Sequence, residues 1–206
     1  MRGNRFVQIL ILLSLFLPAF WSCNDNSKSE KRDFSQLISL LEEGDLLFRR
    51  GTGVVGHIVT SMDRNGNFSH VGIVVKSGED WCVVHAVPHE PEFEGDFDRV
   101  KCEKLDNFVG RYPKAVVGLY RPMIEPQQVD IAVRNALRLS QKQVCFDHDY
   151  TLEDTTELYC TELIEYVYSL AGVSISEGRR SEVTLFPQKG IMPSDLTESS
   201  LLKPIY

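Results

Sequence analysis

Cys160 stands in the run Tyr159-Cys160-Thr161-Glu162, immediately before or within the first turn of a helix predicted over residues 162–170. A thiol at that place faces unsatisfied backbone N–H groups and the positive end of the helix dipole, which favour the thiolate and suit it to nucleophilic attack. The competing reading is a small, buried, inert side chain, since free cysteines are among the most buried residues. His70 opens the run Ser69-His70-Val71-Gly72-Ile73, where an imidazole can take a thiol proton and later protonate a leaving amine. Taken alone, it reads more simply as a satisfied histidine in a sheet. His85 shifts that balance. If the two strands form a hairpin turning at residues 77–80, the start of one lies beside the end of the other, so His70 and His85 meet and one orients the other. That is the base and orienting group of a cysteine triad, although a one-residue slip would send one ring to the opposite face.

The remaining histidines, His57, His89 and His148, read as solvated or structural. Zinc held by His70, His85 and Cys82 is a weaker reading. Cys82 and His85 are three apart in a strand and point to opposite faces, whereas zinc needs three or four converging ligands. The expectation is no metal and no cofactor.

The elements that must hold these groups are legible in outline. Val71-Gly72-Ile73-Val74-Val75 reads as a buried strand, Ser77-Gly78-Glu79-Asp80 as a turn, and Trp81-Cys82-Val83-Val84-His85 as the returning strand. Leu46-Leu47-Phe48 and the run from Ala115 to Tyr120 read as further strands. Phe34, Leu37, Ile38 and Leu41 follow helical spacing, while Gly51, Gly53 and Gly56 suggest loosened chain. Pro126 suits the first turn of a helix whose apolar face carries Val129, Val133, Ala136 and Leu137. Gly172 is placed to end the helix that follows Cys160. Beyond residue 173 only Pro193-Ser194-Asp195-Leu196 suggests one more short helix. The fold class is α+β, an antiparallel sheet with helices at both ends of the chain.

At 206 residues, with 43% hydrophobic and 25% charged, the composition suits one globular domain plus a short appendage. The net charge of -7 and the lack of a long basic run give nucleic acid no handhold. Arg2 and Arg5 precede an apolar stretch from Phe6 to Phe20, which reads as a secretory signal peptide over residues 1–22. It ends in Ala19-Phe20-Trp21-Ser22-Cys23, a pattern that resembles a bacterial lipoprotein lipobox, with Cys23 the lipidated mature N-terminus. Residues 23–33 then form a flexible tether and residues 34–206 the folded domain. The expected location is the bacterial cell envelope, periplasm or outer membrane, held by the lipid anchor. There Cys82, Cys102, Cys145 and Cys160 could pair in three ways among which sequence does not choose.

In their order and spacing, Gly44-Asp45-Leu46-Leu47-Phe48, Ser69-His70-Val71-Gly72-Ile73-Val74-Val75, Val84-His85-Ala86-Val87-Pro88, and Phe146-Asp147 leading to Tyr159-Cys160-Thr161-Glu162-Leu163 carry a family likeness. The chain resembles the permuted papain-fold branch of the NlpC/P60 superfamily, of YiiX and YaeF type, and more distantly lecithin retinol acyltransferase. The resemblance implies a circularly permuted papain-like domain over 34–206, with histidine before cysteine in the chain. It implies Cys160 as nucleophile, His70 as general base and His85 in the third polar position, as in the acyltransferase-like relatives. Phe146 stands where a tyrosine is frequent. The implied activity is a cysteine amidase or peptidase working through a thioester. Its substrate would be a cell-wall peptide, peptidoglycan-derived, or another acyl-amide. The alternatives are a lipid acyltransferase or esterase, and a non-catalytic binding lipoprotein.

Overall fold

The computed structural model describes residues 34–206 apart from 113–114, 153–154 and 185. The predicted leader, Cys23 and the tether lie outside the described residues. Helix α1 (Ser35–Leu40) buries Leu37 and leads through Gly44, at φ +87°, into β1 (Leu46–Arg49). A side chain at Gly44 would meet Val129 as well as a strained backbone, so glycine is required there. Where the glycines suggest loosened chain, the structure has a helix, α2 (Val54–Met62), none of whose residues is buried. Its C-terminal end is tied down by Asp63, whose carboxylate accepts both the amide and the hydroxyl of Ser194.

The predicted hairpin is present. Strand β2 (His70–Ser77) pairs antiparallel with β3 (Asp80–Val87), Ile73 opposite Val84 and Ser77 opposite Asp80. Its two-residue turn places Gly78 at φ +63°, the left-handed geometry that a tight hairpin of this twist needs. Two elements that the sequence reading did not anticipate follow: β4 (Arg99–Lys104), which pairs with β3, and α3 (Leu105–Gly110). Strand β5 (Val117–Pro122) starts two residues later than predicted and runs through Arg121 and Pro122.

Helix α4 (Pro126–Gln141) is followed by α5 (Cys160–Ser169) and α6 (Pro193–Thr197), the last where the short helix was expected. A short strand, β6 (Leu202–Pro204), completes a six-stranded sheet of order β4-β3-β2-β1-β5-β6, antiparallel throughout. One face of the sheet packs Leu46, Phe48, Val71, Ile73 and Val84 against Ala132 and Ala136 of α4 and Leu163 and Ile164 of α5. The other packs Leu47, Val74 and Val83 against Leu37 of α1 and Phe108 of α3. Period-two alternation along each strand produces this division, and it decides which face each site residue reaches.

Candidate active site

The sequence of α5 fixes its own start. Tyr159 is extended, and its N–H donates to Glu162 Oε2 at 3.3 Å, so Cys160 becomes the first helical residue. Both neighbours of Cys160 grip the same facing segment: the Ile191 amide donates to the Tyr159 hydroxyl at 2.9 Å, and the Thr161 hydroxyl donates to the Ile191 carbonyl at 2.6 Å. Tyr168, two turns on, donates to the Gly44 carbonyl at 2.6 Å and ties α5 to the entry of β1. The nucleophile candidate therefore sits on a helix end clamped on two sides.

Around its sulfur lie the backbone amides of Val71, Thr161 and Cys160 itself. The Val71 amide belongs to the residue after His70, so the sulfur meets the β2 backbone at the histidine. Burial pushes the thiol up to about 11, outweighing these amides and the Arg49 guanidinium, which pull the other way. The residue as a whole is only half-buried, so a reagent still reaches it through the cleft.

The two histidines meet on the diagonal of the hairpin, whose register continues to set His85 opposite Gly72. His70 Nε2 lies 2.9 Å from His85 Nδ1, with the rings 77° apart. Gly72 makes room for them. A Cβ there would stand 2.4 Å from Val83 Cγ1, 2.9 Å from the Val84 carbonyl oxygen and 3.0 Å from His85 Cβ. Phe108 covers the pair, its centroid 5.8 Å from one ring and 5.1 Å from the other. Burial, followed by the positive field of Arg49, holds both imidazoles well below the ordinary histidine value. At neutral pH the resting site is thus a neutral thiol with two neutral imidazoles, not an ion pair.

Charged residues absent from the sequence reading complete the surroundings. Arg49, opposite His70 on β1, is fully buried and donates from one terminal nitrogen to both Glu90 oxygens at 2.6 and 2.7 Å and from the other to the Phe108 carbonyl at 2.9 Å. Its guanidinium lies 4.4 Å from the Phe108 centroid and 5.2 Å from that of Tyr112. Arg111 pairs with Glu90 at 2.9 Å and also with Glu103. The one signal that could have found Glu103 is the period-two pattern of β4, where Arg99, Lys101 and Glu103 alternate with Val100 and Cys102.

Cys160, His70, Arg49 and Glu90 line one open cleft. Its walls are aromatic and apolar. Tyr150 stacks on Phe186 with centroids 4.6 Å apart and planes 10° apart, and Phe146 and Val59 add to the lining. Asp147 builds that wall, because its buried carboxylate accepts the amides of Asp149, Tyr150 and Thr151 at 2.8, 2.9 and 2.7 Å and holds Tyr150 at φ +53°. Phe146, in the place where a tyrosine is frequent, contributes only a ring.

The family model of the permuted papain-like amidase enzymes, YaeF/YiiX, C92 family, matches residues 40–206. The chain belongs to that family. Solved structures that it resembles include the crystal structure of the metalloprotein yiiX from Escherichia coli O157:H7, with TM-score 0.66, 17% identity, and coverage of 81% of this chain and 97% of that one. Among curated proteins no sequence matches. As a YaeF/YiiX-type protein with a permuted papain-like fold, the chain is in general terms a cysteine-type amidase or peptidase, and its substrate carries an amide bond. The E. coli neighbour is described as a metalloprotein. Here, among the described residues, no group of three or more His, Cys, Asp or Glu side chains converges as a metal site requires. His70 and His85 direct ring nitrogens at each other instead.

Proposed function

We propose that this protein is an envelope-located cysteine amidase in which Cys160 is the nucleophile, His70 the general base and His85 the group that orients His70. The observation that carries this reading is the joint approach of two elements: the α5 thiol lies against the amide that follows His70, while Nε2 of His70 is held by His85 at 2.9 Å. Because the resting pair is neutral, attack and proton transfer are coupled. Sγ bonds to the amide carbonyl carbon as the thiol proton passes to His70, and the Cys160 amide N–H donates to the developing oxyanion. Collapse expels the amine, which takes the proton back from His70. Water, deprotonated by the same imidazole, then cleaves the thioester to a carboxylic acid and restores the thiol.

A cell-wall peptide or an N-acyl amide fits the expected compartment, with Cys23 lipidated and residues 23–33 as the tether. The aromatic cleft also favours a second reading, lipid acyl transfer or ester hydrolysis. Val55 of α2 lines the cleft, and on the same helix Val54, Val55 and Ile58 are 76%, 44% and 39% exposed, an apolar edge close to the proposed nucleophile. Incubation of Cys160→Ala and the unaltered protein with peptidoglycan fragments, N-acyl amides and phospholipid vesicles separates these. Loss of amide hydrolysis in the variant supports the amidase; acyl exchange between lipids without amide cleavage supports the second reading; amide hydrolysis retained by Cys160→Ala refutes the first.

A further inference from the structure

The proposed site has a residue beyond His85. Glu103, on β4, is 3% exposed and His85 fully buried, and their facing atoms, Glu103 Oε2 and His85 Nε2, lie 3.4 Å apart. Neither atom makes a hydrogen bond, to the other or to any other group among the described residues. A buried imidazole nitrogen and a buried carboxylate oxygen left so are each costly, and each is the other's nearest remedy. The second Glu103 oxygen is already taken by Arg111, so Oε2 is the one directed at the ring.

We propose that Glu103 is a positioning residue that sets the tautomer of the whole histidine pair; this rests on the assignment of His70 as base. A neutral imidazole has one N–H donor and one lone-pair acceptor. A carboxylate at Nε2 of His85 requires the proton on that nitrogen, which leaves Nδ1 as a bare acceptor. His70 must then carry its proton on Nε2, to donate across the 2.9 Å contact, and its lone pair falls on Nδ1. Nδ1 is the only His70 nitrogen not spent on His85, so Glu103 selects the tautomer that can accept a thiol proton. The reverse tautomer would place a proton on His85 Nδ1, aim it at His70, and leave His85 Nε2 as a lone pair facing a carboxylate. During turnover, when the pair gains a proton, the Glu103 charge also offsets it. The surrounding charges are Arg49 on β1, Lys101 on β4, Arg111 after α3 and Glu90 on the cleft wall. The three cations oppose protonation of the pair, which leaves the carboxylate at His85 as the group favouring it directly.

Imidazole nitrogen NMR on the full chain tests this, with signals assigned by removing His57, His89 and His148 in turn. The expected result at pH 7 is His85 protonated at Nε2 and bare at Nδ1, and His70 protonated at Nε2. In Glu103→Gln, which keeps an acceptor but not the charge, the pair should bind its first proton about tenfold more weakly. A packing role for Glu103 would lower stability without moving that titration. A His85 ring protonated at Nδ1 in the unaltered protein overturns the proposal whether or not the variant folds, as does a folded variant with unchanged titration. These readouts need no substrate, so they stand apart from the Cys160→Ala test of the amidase reading.

Discussion

Gly72→Ala is the sharpest perturbation of the histidine pair that touches neither ring. Carbon atoms in contact sit at about 3.5–4.0 Å, whereas the new methyl would lie 2.4 Å from Val83 Cγ1 and 3.0 Å from His85 Cβ, with the Val84 carbonyl oxygen at 2.9 Å. Val83 cannot rotate away readily, since it is β-branched and wholly buried, and the Val84 oxygen is backbone. Strands β2 and β3 must therefore part by roughly half an ångström or more at His85, a misfit that costs about 1–3 kcal/mol in a packed core. At about 2–4 °C per kcal/mol for a domain of this size, the melting temperature should fall by several degrees. The larger effect is on chemistry. Moving His85 takes the 2.9 Å contact with His70 toward the edge of hydrogen bonding, and misplacement on the order of 1 Å costs about 100-fold in rate.

The assay is kcat/KM for amide hydrolysis at a temperature where circular dichroism shows the variant folded, with an expected loss of about 10- to 100-fold. Gly78→Ala is the control: no atom lies within 4 Å of its Cβ position, and its φ of +63° makes the cost one of backbone strain alone. That variant should lose about 1 kcal/mol of stability and keep its activity per folded molecule. A folded Gly72→Ala variant active to within about twofold would refute the argument that the hairpin register holds the histidines together.

Two further expectations follow from the site and the leader. With burial holding the Cys160 thiol at about 11, alkylation by iodoacetamide should climb roughly tenfold per pH unit from 7 toward that value. A plateau already reached below pH 8 would mean a resting thiolate–imidazolium pair. Cys23→Ser should move the expressed protein from the membrane fraction to the soluble one, judged by fractionation and by loss of radiolabelled fatty acid; unchanged fatty-acid incorporation would exclude Cys23 as the lipidated residue.

The places of the candidate residues in the fold were legible because each is tied to a strong local signal. Apolar β-branched runs around a two-residue turn specify both the hairpin and its register, which continues to set His85 opposite Gly72, so that His70 reaches it on the diagonal across a position with no side chain. Cys160 heads α5 because Glu162 captures the Tyr159 amide four residues before Leu163, where the apolar periodicity begins. The misses have the opposite character. Helix α2 buries no residue and so has no core-facing stripe to read. Gly56 there serves close approach, since a Cβ would lie 2.6 Å from the Gly51 carbonyl oxygen. In β4 the face bearing Arg99, Lys101 and Glu103 is as buried as the apolar one. A charged run normally marks a solvated surface, and here its burial is made tolerable by partners in the adjoining segments, Glu90, Glu92 and Asp96 before β4 and Arg111 after α3.

That buried polar face bears on the proposed roles, in which the sheet would carry the base and a helix the nucleophile. The α4 and α5 side of the sheet is apolar core. The α3 side, at the same end of β2 and β3, has two carboxylates and two guanidiniums linked in sequence: Arg49 to Glu90, Glu90 to Arg111, Arg111 to Glu103, with Glu103 facing His85. Each charge is matched, so the set is tolerated inside the protein, where removal of a single partner would leave an ion exposed to low dielectric at a cost of about 3–5 kcal/mol. A thiol delivered from the apolar side with no counter-charge of its own must borrow one across the sheet edge. In the proposed mechanism that transfer would fall at the boundary between the two faces, where the Val71 amide meets the sulfur and His70 is the adjoining residue.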